Sequence, residues 1–211
     1  MVDRPRRQRG RWRLQKNRRK ILDRSFRPGR LAGRRPLATL AQALPQPAEG
    51  FLCCNLRTDG KWISDINYSE NGKKLIPVGT PVKATGYGRQ RVYIDLPDGK
   101  QAIGNDYSRN LDLTTFAQRY IVAEDPRRKL AGFSPKVRKA VESARVMPGM
   151  TREQVLMAVG YPVSSENPQL DAKIWRFWLS SFAEFQVVFG ADDRVKEITT
   201  DAQTRNLVVM D

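Results

Sequence analysis

The chain has 211 residues, a formal net charge of +16 from 38 Lys and Arg against 22 Asp and Glu, and no histidine. The missing histidine excludes Ser-His-Asp and Cys-His nucleophilic systems, a histidine general base and His-containing zinc sites. The longest apolar run, 155–159, falls far short of the roughly 20 residues that cross a bilayer, so the chain reads as soluble.

The charge is unevenly divided. Residues 1–50 carry 15 Lys and Arg against 3 acidic residues, which is +12 of the +16. Clusters such as Arg18-Arg19-Lys20 stand among scattered Pro and Gly with no apolar stripe at either structural period, so this segment is expected to be disordered. Two readings stay open. One is a basic arm on nucleic-acid phosphates, with affinity that falls steeply with salt. The other is a translation start extended over a disrupted signal peptide, because Ala41-Gln-Ala43 has the small-x-small pattern of a signal-peptidase site and Pro45 follows closely.

From Phe51 to Ser108 short apolar runs alternate with turn residues. Strands are expected at Phe51–Leu56, Trp62–Tyr68, Pro81–Gly86, Arg91–Leu96 and Gln101–Gly104. They are separated by Thr58-Asp59-Gly60, Asn71-Gly72, a bend at Gly86-Tyr87-Gly88, and Pro97-Asp98-Gly99. Five strands in so short a stretch suggest a small all-β, barrel-like domain over 51–108. Cys53 and Cys54 are too few for a Cys-only zinc site. As neighbours at the start of a strand they point to opposite faces, so buried thiols are expected, with a metal–thiolate pair or a vicinal disulfide as alternatives. The carboxylate pairs Glu124-Asp125 and Asp192-Asp193 flank a proline and a turn and read as boundary residues.

Residues 109–133 are expected to form a helical linker, with a helix over 111–124 that groups Phe116, Tyr120 and Ile121 before Asp125-Pro126 breaks it. A second helix starts with Ser134 as cap and Pro135 at N1, and buries Val137, Val141 and Ala144; its basic face is expected to be solvated. The next helix has the sharpest start. Thr151 and Gln154 form a capping box, Met150 and Val155 a hydrophobic staple, and Gly160 followed by Pro162 ends it, with Gly160 in the left-handed position.

Beyond it, 173–179 alternates so that Trp175, Phe177 and Leu179 share a core face and Ile174, Arg176 and Trp178 share the other. Strands 183–189 and 194–199, joined by a turn at 190–193, complete an antiparallel meander. The tail 207–210 is expected to add an edge strand or fray. Overall the expected fold is α+β: a disordered basic N-terminus, the barrel-like domain, the linker, and a domain over 134–211 with two helices on a three-stranded antiparallel sheet.

No nucleotide loop, calcium loop or nucleophile elbow occurs, and no catalytic, cofactor-binding or metal-binding residue is assigned. The best partner-binding candidates are Ile174, Arg176, Trp178 and Phe182, because Trp and Arg combine large contact area with directed polar groups.

The run Val146-Met-Pro-Gly-Met-Thr-Arg-Glu-Gln-Val155, then Gly160-Tyr-Pro162, Trp175-Arg-Phe-Trp178 and Val187-Val-Phe189, resembles the SmpA/OmlA lipoprotein family, the BamE-like outer-membrane assembly factors. The resemblance spans roughly residues 134–200. It implies a non-enzymatic scaffold on the periplasmic side of the outer membrane, with envelope proteins such as the outer-membrane assembly complex as partners and lipid headgroups or peptidoglycan as further ligands. Gly50-Phe51-Leu52-Cys53 departs from that family's lipidation motif, and the 51–108 domain is an addition to it. The alternative function is nucleic-acid association through the basic arm.

Overall fold

Residues 49–70 and 72–211 are described in the computed structural model of this chain. The basic segment up to residue 48, with Ala41-Gln-Ala43 and the readings that rest on it, lies outside the described residues, as does Asn71. The described residues all belong to one compact unit.

Hairpin chemistry builds the first half. Strands β1 (Glu49–Leu52), β2 (Leu56–Thr58), β3 (Trp62–Ser64), β4 (Lys74–Ile76), β5 (Pro81–Gly88), β6 (Arg91–Leu96), β7 (Gly99–Gly104) and β8 (Ile121–Val122) form two sheets. Six of them curl into a half-barrel in the order β3-β7-β6-β5-β1-β8, while β2 and β4 pair as a separate ribbon. The Pro97-Asp98-Gly99 turn joins β6 to β7 as expected, with Leu96 opposite Gly99.

Several sequence expectations are corrected here. The bend placed at Gly86-Tyr87-Gly88 is absorbed into β5 beside a register irregularity between Ala84 and Gly86. The reversal falls instead at Arg89-Gln90, both at positive φ, the conformation a tight two-residue hairpin turn demands. Thr58-Asp59-Gly60 does turn the chain, with the Asp59 carboxylate accepting from Lys61 and Trp62 N–H. It does not join paired strands, because β3 runs parallel to β7. The expected strand Phe51–Leu56 is broken in two at Cys53-Cys54.

The helix expected over 111–124 is shorter. Helix α1 (Leu113–Tyr120) starts at Asp112, whose side chain caps Thr114 and Thr115 N–H, and it ends where Ile121 turns extended. Ile121 and Val122 then pair with β1. The approach is so close that a Cβ on Gly50 would overlap the Val122 carbonyl. Phe116, Tyr120 and Ile121 are buried in one cluster with Leu52, Leu56, Ile63, Val92, Ile94 and Ile103.

The second half follows its local signals. After the short α2 (Arg127–Ala131), helix α3 (Pro135–Glu142) starts at Ser134, which accepts from Val137 N–H. Helix α4 (Arg152–Val159) carries both bonds of the capping box, Thr151 N–H to Gln154 Oε1 at 2.9 Å and Gln154 N–H to Thr151 Oγ1 at 3.3 Å. Met150 and Val155 are both fully buried. At Gly160 the backbone has φ 85° and ψ −175°. That is an extended positive-φ conformation open essentially to glycine, and not the left-handed helical one expected.

Strands β9 (Ile174–Ser180), β10 (Ala183–Phe189) and β11 (Val195–Thr199) form the antiparallel meander, with β10 central. Its inner face presents Trp175, Phe177, Phe185, Val187 and Phe189 to α3 and α4 in a second cluster. The tail is neither an edge strand nor frayed. Asp201 caps α5 (Ala202–Val208), and Val209 forms a parallel bridge with Val146.

Two asparagines, Asn55 buried and Asn67 half-buried, join the halves. Asn55 donates to Val141 O at 2.6 Å and Ala158 O at 3.0 Å, and accepts from Val78 N–H at 2.9 Å. Asn67, at positive φ, donates to Asn55 O and Val159 O and accepts from Arg57 N–H. Each amide thereby satisfies backbone groups of both halves, including carbonyls that the end of α4 leaves unpaired.

Candidate functional site

The outer face of the β9–β10 hairpin is built by simple alternation. With Trp175 and Phe177 drawn into the core, Ile174, Arg176 and Trp178 must face away from it, and the register sets them opposite Val188, Gln186 and Glu184. Ile174 is 51% exposed and Phe182, in the two-residue turn, is 99% exposed. Arg176 pairs with Glu184 across the strands at 3.6 Å. Trp178 is half-buried and donates its indole N–H to Glu166 at 2.9 Å, which fixes the ring at the edge of the face. The structure therefore brings all four sequence-selected residues onto one hairpin.

The free edge of β9 is closed to further strand pairing. The Asn167 side chain accepts from Arg176 N–H and donates to Arg176 O, imitating a strand neighbour. Ser69 N–H bonds Leu179 O. Side chains, and not backbone, are thus what this surface offers. Beneath it, Arg152 stacks over Phe189 at 4.1 Å and Trp175 at 5.2 Å. It also donates to the carbonyls of Leu170, Asp171 and Ala172, so the loop entering β9 is held by a charge that also packs on the core aromatics.

A second site was missed by sequence reasoning. Cys53 and Cys54 are joined by a disulfide and not left as buried thiols. They form a bend after β1, so the rule that strand neighbours point to opposite faces does not govern them. Cys54 is fully buried in the half-barrel core, whereas Cys53 is half-exposed in a pocket of about 190 Å³. Val122, Leu156, Met157 and Tyr161 supply its apolar walls, and Glu124, Arg128, Lys129 and Glu153 stand at the rim. Lys129 pairs with Glu153 at 2.6 Å, and the carboxylate bonded to it raises the Lys129 ammonium above its ordinary range. Burial pushes the Tyr161 hydroxyl up against the opposing effect of the Arg119 guanidinium, which lies 5.3 Å from its ring. The signal in the sequence was the Cys-Cys pair itself; nothing local revealed that α2, α4 and β8 would wall it.

The carboxylate pairs have structural roles. Asp125 accepts from Arg127 N–H and pairs with its guanidinium, which holds the carboxyl below the usual range. Asp193 pairs with Arg152 at 3.2 Å. Among the described residues no group of three or more His, Cys, Asp and Glu side chains is placed to hold a metal ion, and no helix is long and apolar enough to cross a membrane. Neither protein families, curated proteins nor solved structures give a match to this chain.

Proposed function

We propose that this chain is a non-enzymatic binding protein of the bacterial envelope, with a C-terminal domain similar to the BamE-like outer-membrane assembly factors, and that it docks a protein of the outer-membrane assembly complex on the outer face of β9 and β10. The reading rests on the sequence resemblance over roughly 134–200 and on one geometric observation. A phenylalanine is 99% exposed at the tip of the hairpin whose first strand carries an indole bonded to Glu166. An aromatic side chain left in water forgoes burial worth about 2 kcal/mol or more, and a patch that joins it to Trp, Ile and an Arg–Glu pair has the composition of an interface anchor with a polar surround.

The kind of occupant follows from the surface. With the β9 edge closed by Asn167, a partner gains nothing from strand addition and must meet the side chains with an apolar pocket of its own. That requirement fits a folded protein better than an extended peptide. The half-barrel, on this reading, is an added module stapled through Asn55 and Asn67 so that it moves rigidly with the docking face.

The test is a titration of the full chain against the purified outer-membrane assembly complex. Phe182→Ala should weaken binding at least tenfold while leaving the melting temperature unchanged, because the ring has no intramolecular burial to lose. Equal binding by the variant, or no binding by the parent, would overturn the proposal.

A further inference from the structure

The disulfide at Cys53-Cys54 is placed unlike a purely structural cross-link. Linking adjacent residues closes almost no loop, so it removes little entropy from the unfolded chain, whereas a stabilising disulfide constrains a long loop. Its two sulfurs are also unequal. Cys54 sits in the core, while Cys53 lines a solvent-open pocket with Leu156 and Tyr161. We propose that Cys53–Cys54 is a redox-active disulfide that exchanges electrons with a small external dithiol entering this pocket.

The exchange is a two-electron step. A thiolate of the dithiol attacks Cys53 Sγ, the Cys53–Cys54 bond breaks, and Cys54 leaves as a thiolate that takes up a proton. The second thiol of the reductant then attacks the mixed disulfide, releases Cys53 as a thiol and closes the reductant into its own cyclic disulfide. The protein disulfide is reduced, the dithiol is oxidised, and both protons come from the two thiols. Attack is directed to Cys53 because Cys54 is out of reach. The small size of the partner follows from the pocket: about 190 Å³ is below the roughly 300 Å³ at which ordinary ligand sites begin, and the Lys129–Glu153 pair stands at its rim.

The position gives the exchange a structural consequence. Cys53 N–H bonds Tyr120 O at the end of α1, which packs on the half-barrel, and Asn55 N–H bonds Met157 O in α4. The redox pair therefore sits on the segment that joins the two halves, directly before the asparagine that staples them.

The experiment uses the full folded chain, purified in air, with dithiothreitol as probe and alkylation followed by intact mass as readout. The chain is expected to carry no free thiol at the start. Its reduction rate should rise in proportion to dithiothreitol over a tenfold concentration range, well below the melting temperature. Leu156→Trp and Val122→Phe, which fill the pocket, should each slow reduction at least tenfold; the variant whose melting temperature stays within a few degrees of the parent is the one compared. Two free thiols in the air-purified chain, a reduction rate independent of dithiothreitol and equal to that of global unfolding, or full-speed reduction of the folded pocket-filled variant would each overturn the proposal.

Discussion

The two halves of the molecule are held by different means. The C-terminal half has an aromatic core, in which Trp175 meets Phe189 edge-on at 4.7 Å and Phe177 stacks on Phe185 at 5.1 Å, and its helices are set by caps a few residues from what they cap. The half-barrel core is largely aliphatic and drawn from short strands, with Phe116 and Tyr120 of α1 as its aromatic pair, and it depends on polar side chains bonded across long sequence distances. Asn55, Asn67 and Asp65 are the clearest of these. Local rules place the first kind of structure and long-range hydrogen bonding places the second, so perturbing each should produce different kinds of damage.

The largest effect is expected in the aromatic core. Trp175→Ala removes a ring that is 1% exposed and should cost roughly 3–5 kcal/mol by cavity formation, read by denaturant titration. Trp178→Ala, one face away, should cost far less because its ring is only half-buried. Equal losses would mean that the two faces of β9 are not distinct.

Next comes the joint. Asn55→Ala removes the side-chain partner of Val78 N–H and of the Ala158 carbonyl and leaves the Val141 carbonyl to its backbone bond from Ala144 N–H, and should cost roughly 2–4 kcal/mol. The two halves should then lose their common transition, with near-ultraviolet circular dichroism of the aromatic half melting apart from hydrogen exchange in the half-barrel. A single sharp transition at the parental temperature would show that the asparagine staples are dispensable.

Asp65 gives the half-barrel a pH signature of its own. Its carboxyl is almost fully buried, and burial raises it to about 6 from the ordinary 3.8 against the opposing bonds from Tyr107 N–H, Ser108 and Asp106 N–H. An acid raised in the fold is easier to ionise when unfolded. Its favourable contribution is therefore complete below about pH 4 and is lost as pH rises through about 6. Between pH 4 and 7 the chain should lose up to roughly 2 kcal/mol from this group, and Asp65→Asn should flatten that slope in melts taken across the range. A slope that survives the substitution would assign it to another group.

The smallest effect belongs to local capping. Thr151→Ala should cost about 1 kcal/mol, detectable as a drop of a few degrees in the melting temperature. It should leave the cooperativity between the halves intact, in contrast to Asn55→Ala.

The same contrast explains what could be read from the sequence. The capping box at Thr151, the Ser134 cap and the alternation about Trp175 each involve residues within a few positions of one another, so the second half was legible almost to its ends. Its tail escaped, because Asp201 starts a helix that runs into the apolar stretch at Leu207 and Val208, and so did the extended backbone at Gly160. In the first half the individual strands β5, β6 and β7 were legible, but their partners were not. The β1–β8 pairing links Phe51 to Val122, and the parallel β3–β7 pairing links Trp62 to Ala102; no turn residue announces either. The hairpin face was found because period-2 alternation sorts Ile174, Arg176 and Trp178 without tertiary information. The pocket at Cys53 was missed because its walls come from three elements brought together only by folding.

The proposed docking face is tested most directly by side-chain oxidation footprinting of the full chain with and without the purified outer-membrane assembly complex. Labelling of Phe182 and Trp178 should fall on binding, while Tyr93, which is 39% exposed on the half-barrel, keeps its labelling. Undiminished labelling of Phe182 in a complex that does form, or protection of Tyr93 in place of the hairpin, would contradict the account.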